Sequence, residues 1–471
     1  MNAGVHGVHV QVRILALSMA LLALTACSAR DSLLSLRPAI LPTLTGLMLS
    51  TGTLKPSFAA HVTRYTTMTI DTPSITVTPT AGPGTTITVN GTPVVSGTAS
   101  NAISLPSGHR AITVAVTSST GTATYTITAH RLAHEAYIKA SNTGAGDLFG
   151  FSVALDGDTL AVGAPGEGSN GRGINSDTQT DDSAPAAGAV YVFTRHGDTW
   201  QQQAYIKASN TDQGDGFGAS LDLDGDTLAV GAFEEASNGR GINSATEADN
   251  SAFASGAVYV FTRHSGTWQQ QAYIKASNAE ANDLFGVSVA LDGDTLAVGA
   301  NGESSNGRGV NSGAEADNSA PGSGAVYVFT RHNGTWQQQT YIKASNAMAG
   351  DGFGSRLALD NHTLAVGATL LNVSGAIYLF TQSGGAWYEQ TFVKAFNADP
   401  NDGFGISMAL SGNTLASGAT GESSNGRGID SGAGVDNSAH NAGAVYVGCM
   451  VRVHSQHQPV TLHPGEERCG R

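Results

Sequence analysis

The chain is 471 residues long, carries a net charge of −14, and contains 60 Gly and 14 Pro, with 13% charged and 40% hydrophobic residues. So little charge excludes an acidic disordered chain, Gly without a three-residue period excludes a collagen, and the acidic balance argues against a nucleic-acid partner. Three cysteines exclude a disulfide-rich scaffold and a four-cysteine zinc site, which leaves an all-β protein of roughly three domains, or of one small and one large.

From Ile14 to Ala26 thirteen residues are apolar or small, too few for a membrane-spanning helix, which needs about 20. Arg13 precedes the run as the positive region of a signal peptide does, so residues 1–26 are expected to be a cleaved export signal. The run closes in Leu24-Thr25-Ala26-Cys27, small residues before a thiol able to carry a diacylglycerol, and it resembles the lipobox of bacterial lipoproteins. The resemblance implies that Cys27 is lipidated and that residues 27–43 tether the protein to a membrane. It also implies the bacterial outer membrane or cell surface, because Ser28 stands where lipoproteins retained at the inner membrane typically carry Asp. A plain signal peptide with an incidental Cys is the other reading, and both put the protein outside the cytoplasm.

Residues 44–131 hold short β-branched runs such as Ser74-Ile75-Thr76-Val77-Thr78 and Ala111-Ile112-Thr113-Val114-Ala115-Val116. Their period-two alternation, with Asn90-Gly91 and Thr120-Gly121 at turns, predicts six or seven strands of a sandwich. Leu47-Met48-Leu49-Ser50-Thr51-Gly52-Thr53-Leu54, Thr88-Val89-Asn90-Gly91 and Tyr125-Thr126-Ile127-Thr128 resemble the cadherin-like sandwiches of bacterial surface proteins. The segment lacks the clustered carboxylates that calcium needs at a domain junction, and reads as a spacer or accessory binding module.

Five repeats follow, over residues 136–447. Phe-Gly recurs at 149, 217, 285, 353 and 404, spaced by 68, 68, 68 and 51, and Gly-Ala follows each Phe after fourteen residues. A second Gly-Ala opens an aromatic strand, and Trp200, Trp268, Trp336 and Trp387 begin a fourth strand ending in Tyr-Ile-Lys-Ala-Ser-Asn or a variant. In the first unit the predicted strands are Phe151 to Leu155, Thr159 to Gly163, Ala189 to Thr194 and Trp200 to Lys207. A four-stranded unit this thin must bury its faces against neighbours, which predicts a β-propeller. Phe149-Gly150-Phe151-Ser152-Val153-Ala154 with Gly163-Ala164-Pro165 resembles the FG-GAP repeat of integrin-type propellers, although only the first repeat keeps the Pro. An orphan fourth-strand sequence, Ala136-Tyr137-Ile138-Lys139-Ala140-Ser141, precedes the first unit, and the last unit lacks one. The expectation is therefore five four-stranded blades closed by the leading strand, or part of a larger ring. Residues 448–471 abandon the repeat and are expected to be a disordered tail.

The resemblance implies calcium loops between Phe-Gly and Gly-Ala-Pro, but the interval holds only Asp-Gly-Asp or its variants, which read as hairpin turns. The polar variety lies in a 17-residue insert between the second and third strands, absent from the fourth repeat, where a notch is expected. Connections alternate between faces, so the inserts and the inter-blade links share one face, the one integrin propellers use for ligands. Arg172 and Asn175, Arg240 and Asn243, Arg308 and Asn311, and Arg427 and Asp430 are the candidate partner-binding residues, unless they only brace their own loops. No cofactor is expected; calcium would have only Asp182, Asp249, Asp317 and Asp436 of the inserts to hold it. His196, His264 and His332 sit on separate turns, and no nucleophile, phosphate-loop or zinc-protease motif is present. The chain is therefore expected to be a non-enzymatic surface protein for adhesion or recognition, binding an extracellular protein or glycan. The alternatives are a structural envelope component and an enzyme with a site in the propeller channel.

Overall fold

The computed structural model describes residues 41–106, 108–132, 136–197, 199–369, 374–429, 436–449 and 460–462. The expected signal peptide, Cys27, most of the tether, Asp430 and most of the tail lie outside the described residues. Every regular element among the described residues is a strand, and the chain divides into two compact units, residues 1–134 and 135–471.

The first unit is the sandwich. A five-stranded sheet contains Arg64–Ile70, Thr86–Val89, Thr92–Val94, Gly108–Ser118 and Gly121–Leu132, and two short strand pairs complete the unit. Alternate residues point inward, so Ile112, Val114, Val116, Tyr125 and Ile127 share one core with Leu44, Leu47 and Val77. Asn90 and Gly91 have φ of 48° and 81°, the left-handed pair that a tight two-residue hairpin needs. The Tyr125 hydroxyl donates to the Ala60 carbonyl at 2.8 Å, so its buried polar tip is satisfied.

The second unit is a propeller-like series of five sheets. The first contains Ser152–Asp156, Thr159–Ala164, Ala189–His196 and Thr199–Ile206, within two residues of expectation at every boundary. The second runs from Ser220–Asp224 through Thr227–Ala232 and Ala257–His264 to Thr267–Ile274. The third and fourth repeat this order over residues 285–342 and 353–395, and within these bounds each of the four is an antiparallel meander. The fifth has three strands among the described residues: Ser407–Ser411, Thr414–Ala419 and Ala444–Cys449.

The second, third and fourth sheets bury both faces, one against each neighbour. Along the third strand, Val190 and Val192 of the first sheet face Tyr259, Phe261, Leu221 and Leu223 of the second. Val258 and Val260 of the second face the third sheet's Tyr327, Phe329, Val289 and Leu291 in the same way. Full burial of each such side chain is worth roughly 1.5–3 kcal/mol, and a single sheet on its own would bury neither face. Backbones come as close as side chains: Gly188, Gly256, Gly324 and Gly375 bridge in parallel to Phe217, Phe285, Phe353 and Phe404 of the next sheet. A Cβ on Gly256 would overlap the Phe285 carbonyl, so the repeated Gly-Ala is a demand of this approach.

Two expectations about the ends change. Ala136–Ser141 forms no strand; Ala140 is buried against the first sheet while Tyr137 is exposed. The leading segment could complete the fifth sheet only if the first and fifth sheets met, and they share none of the extensive packing that joins neighbours. The segment expected to be a disordered tail also contributes structure. The last repeat strand runs on to Cys449, and Val460–Leu462 pairs in parallel with Val393–Ala395, using the free edge of the fourth sheet.

Candidate binding face

The long inserts and the inter-sheet links form one hydrogen-bonded rim. Asn210, in the link after the first sheet, donates to the second sheet's Glu235 at 2.9 Å and to the Glu247 carbonyl of its insert at 2.8 Å. Asn142 and Asn278 repeat both bonds, to Glu167 and the Gln179 carbonyl and to Glu303 and the Glu315 carbonyl. The hairpin turns tie the sheets together separately. Asp156, Asp224, Asp292 and Asp360 accept from the next turn's backbone N–H at Gly225, Gly293, Asn361 and Gly412, at 2.5–2.8 Å. The last Asp of each Asp-Gly-Asp pairs with an Arg instead, Asp226 with Arg263 at 2.6 Å, and that guanidinium lies over Trp268.

Beneath the rim lies a polar network that sequence reasoning missed. Lys207, Lys275 and Lys343, each fully buried at the end of a fourth strand, meet Glu167, Glu235 and Glu303 at 2.7–2.8 Å. Around Glu235 the Tyr273 hydroxyl donates at 3.0 Å and the Ser237 hydroxyl at 3.2 Å, while Lys275 also donates to Ser255 at 2.7 Å. Burial pulls the Lys275 ammonium below its usual value, and the Glu235 carboxylate beside it opposes that pull. Burial likewise drives the Tyr259 and Tyr273 hydroxyls far up, so both stay protonated donors. A signal existed: Glu recurs eighteen residues after Phe-Gly at 167, 235, 303 and 422, in step with Lys at 207, 275 and 343.

The candidate residues divide into two groups. Asn175, Asn243 and Asn311 have φ of 54°, 53° and 50° and are stitched to the fourth strand of their own sheet. The Asn175 N–H donates to the Tyr205 carbonyl at 2.7 Å, and its Oδ1 accepts the Tyr205 N–H at 2.9 Å. Asn243 and Asn311 repeat this with Tyr273 and Tyr341, so these carboxamide oxygens are occupied in bracing the loop. The arginines differ. Arg172, Arg240, Arg308 and Arg427 are exposed. Arg172 and Arg308 reach only long bonds of 3.4 Å to the Thr211 and Ala347 carbonyls, and Arg240 stands 3.8 Å from the exposed Glu280. Arg172, Arg240 and Arg308 thus ride on braced bases with their side chains exposed.

The insert carboxylates are engaged within their own loops. Asp249, Asp317 and Asp436 accept from the backbone N–H and hydroxyl of Ser251, Ser319 and Ser438, which lowers their pKa values. In the first repeat this role falls to Asp181, not Asp182: it accepts from Ser183, and Asp182 aligns with Asn250. No group of three or more His, Cys, Asp or Glu side chains among the described residues is placed to hold a metal. His196, His264 and His332 stand at three separate hairpins, their imidazoles 3.3–3.4 Å from neighbouring Thr hydroxyls. Trp268 and Trp336 are buried, their indole N–H groups donating at 2.8 Å to Gln203 and Gln271 of the preceding sheet. The connection expected to leave a notch in the fourth sheet includes residues 370–373, outside the described set.

Comparison with known proteins agrees with this division of the chain. A cadherin-like β-sandwich domain family matches residues 42–132. An FG-GAP repeat family matches residues 133–193, 200–261, 268–329 and 336–380. No curated protein matches. Among solved structures, a DUF4623 family protein from Bacteroides eggerthii aligns over 86% of this chain and 82% of its own, at 8% identity and a TM-score of 0.31. That likeness is too loose to carry an argument.

Proposed function

We propose that this chain, a cadherin-like β-sandwich domain joined to a run of FG-GAP repeats, is a non-enzymatic recognition or adhesion protein held outside the cytoplasm. The observation that carries the reading is the series of exposed arginines, Arg172, Arg240, Arg308 and Arg427, at equivalent insert positions, the first three above Asn bases that are hydrogen-bonded into the sheets. Repetition from sheet to sheet, with the fourth skipped, suits a partner with repeated acceptors, an extracellular protein or a glycan, because several weak contacts made together give avidity. The planar guanidinium of arginine suits carboxylate or sulfate groups, which it holds bidentately. Lipidation of Cys27 would anchor the protein in the bacterial outer membrane or cell surface, with the sandwich as spacer. A disulfide at Cys449 accords with an oxidising compartment.

The test is binding of the full-length chain to glycan and matrix-protein arrays, with Arg172, Arg240, Arg308 and Arg427 all changed to Ala for comparison. Binding by the parent and its loss in the variant, at unchanged thermal stability, supports the proposal. A blank array, or equal binding by both proteins, defeats it. Mass spectrometry of the mature N-terminus decides the anchor: a diacylated Cys27 is required.

A further inference from the structure

The two ends of the sheet series carry opposite halves of one junction. On the first sheet, Phe151, Val153 and Leu155 are 62%, 63% and 64% exposed. Their counterparts Leu221 and Leu223 are buried against the first sheet, and Val289 and Leu291 against the second. On the fifth sheet, Val445 and Val447 are 73% and 67% exposed, although Val190 and Val192, their counterparts, are fully buried against the second sheet.

The backbone repeats this pattern. A Cβ on Gly188, Gly256, Gly324 or Gly375 would overlap the following sheet's Phe carbonyl, yet one on Gly443 would meet nothing nearer than 3.6 Å. Gly443 nonetheless keeps the same left-handed backbone, at φ 74°. At the other end, Gly150 has φ 94° and open space around it, whereas Gly218, Gly286 and Gly354 press on the carbonyls of Ala189, Ala257 and Ala325.

The polar network is divided in the same way. Glu422 is 2% exposed and accepts from Asn397 at 2.9 Å and from the Ser424 hydroxyl at 3.0 Å. No lysine pairs with it among the described residues, although Glu167, Glu235 and Glu303 all have one. Lys139, in the register of Lys207, lies exposed in a fourth-strand sequence that belongs to no sheet, while the fifth sheet lacks a fourth strand among the described residues.

We infer that the fifth sheet of one chain docks on the first sheet of a second copy, rebuilding the junction that joins neighbouring sheets within the chain. Val445 and Val447 then cover Val153 and Leu155, the second copy's Ala136–Ser141 completes the fifth sheet, and its Lys139 reaches Glu422. An added edge strand and two apolar faces close together in one step. The contact is heterologous, so it propagates head to tail or closes into a ring of several copies. Ser411 replaces the bridging aspartate at the last turn, so this junction lacks that one tie.

The test is sedimentation velocity of the full-length chain over a range of concentrations, with three variants at exposed positions and one charge-swapped rescue. Val153→Glu/Leu155→Glu blocks the leading face, Val445→Glu/Val447→Glu blocks the trailing face, and Lys139→Glu carries a charge reversal. All five positions are exposed, so the single chain keeps its fold. The parent is expected to self-associate, and each face variant alone to remain monomeric, its association weakened at least about tenfold. A mixture of the two face variants keeps one intact junction and is expected to stop at a heterodimer. Lys139→Glu is expected to weaken association, and Glu422→Lys added to it to restore part of the loss. A parent that stays monomeric, as a chain closed on itself would, overturns the inference. So does a mixture that behaves as its separate components do.

Discussion

Replacing Lys275 with Met measures how far the buried ion pairs hold the binding face in place. Lys275 and Glu235 are 2.7 Å apart and essentially without solvent contact. The substitution preserves the aliphatic stem and removes the ammonium, leaving the carboxylate with Asn210, Ser237 and Tyr273 as donors but no countercharge. Stranding one buried charge costs about 3–5 kcal/mol. Adding Glu235→Gln removes that charge and keeps an oxygen for Asn210, so the double variant is expected to lie within about 1–2 kcal/mol of the parent. The second substitution is then expected to recover roughly 2–3 kcal/mol of the first one's cost, well above the scatter of additive pairs. Repeat arrays need not unfold in one step, so the assay is hydrogen exchange resolved by sheet, with urea unfolding beside it. A Lys275→Met cost below about 1 kcal/mol, or a double variant no better than the single, would refute the claim that the pair is a closed electrostatic unit.

Two further outcomes follow from the same geometry. Gly256→Ala forces a Cβ into the Phe285 carbonyl and is expected to cost roughly 3 kcal/mol or more. Gly443→Ala, at equally positive φ but in open space, should cost about 1 kcal/mol when measured at dilution; thermal melts of both distinguish close approach from backbone strain. Burial pushes the Asp215 and Asp283 carboxyls up to about 7 from an ordinary 3.8. A raised folded-state value means that the folded chain keeps protons the unfolded chain has released. Their stabilising contribution is therefore complete below about pH 4 and is lost as pH rises through about 7. Asp215→Asn keeps an acceptor for the Asp212 N–H, now 2.8 Å away, and should raise the melting temperature at pH 8 with little change at pH 4. A melting curve that shifts equally at both pH values would show the reasoning to be wrong.

The sheets were legible because each carries its own local signals. The Phe-Gly and Gly-Ala spacings, the Asp-Gly-Asp turn and the Trp-led strand located the four strands of the first unit within two residues of their bounds. The Lys207–Glu167 pairing was not legible in this way. Its members lie 40 residues apart, and each looks like an ordinary surface charge until the fold brings them into a dry layer. For the insert carboxylates, the 68-residue offset from Asp249 selects Asp181, the residue that bonds Ser183, and not its neighbour Asp182. The leading segment shows another limit. The sequence Tyr-Ile-Lys-Ala-Ser identifies a fourth strand but not whose edge is free to receive it. That depends on the angle between successive sheets, which no single repeat encodes. The bases and tips of the inserts were likewise indistinguishable beforehand, since Asn175 and Arg172 are both polar loop residues and only backbone pairing separates them.

Amide hydrogen exchange on the full-length chain tests the central claim most directly, namely that the inserts are rigid platforms presenting arginines. The Asn175, Asn243 and Asn311 amides, bonded to the Tyr205, Tyr273 and Tyr341 carbonyls at 2.7–2.8 Å, should exchange as slowly as the strands beside them. The insert tips at residues 176–180, without such pairing, should exchange quickly. If the three Asn amides exchange as fast as the tips, the loops are not held to the sheets and the recognition surface described above does not exist.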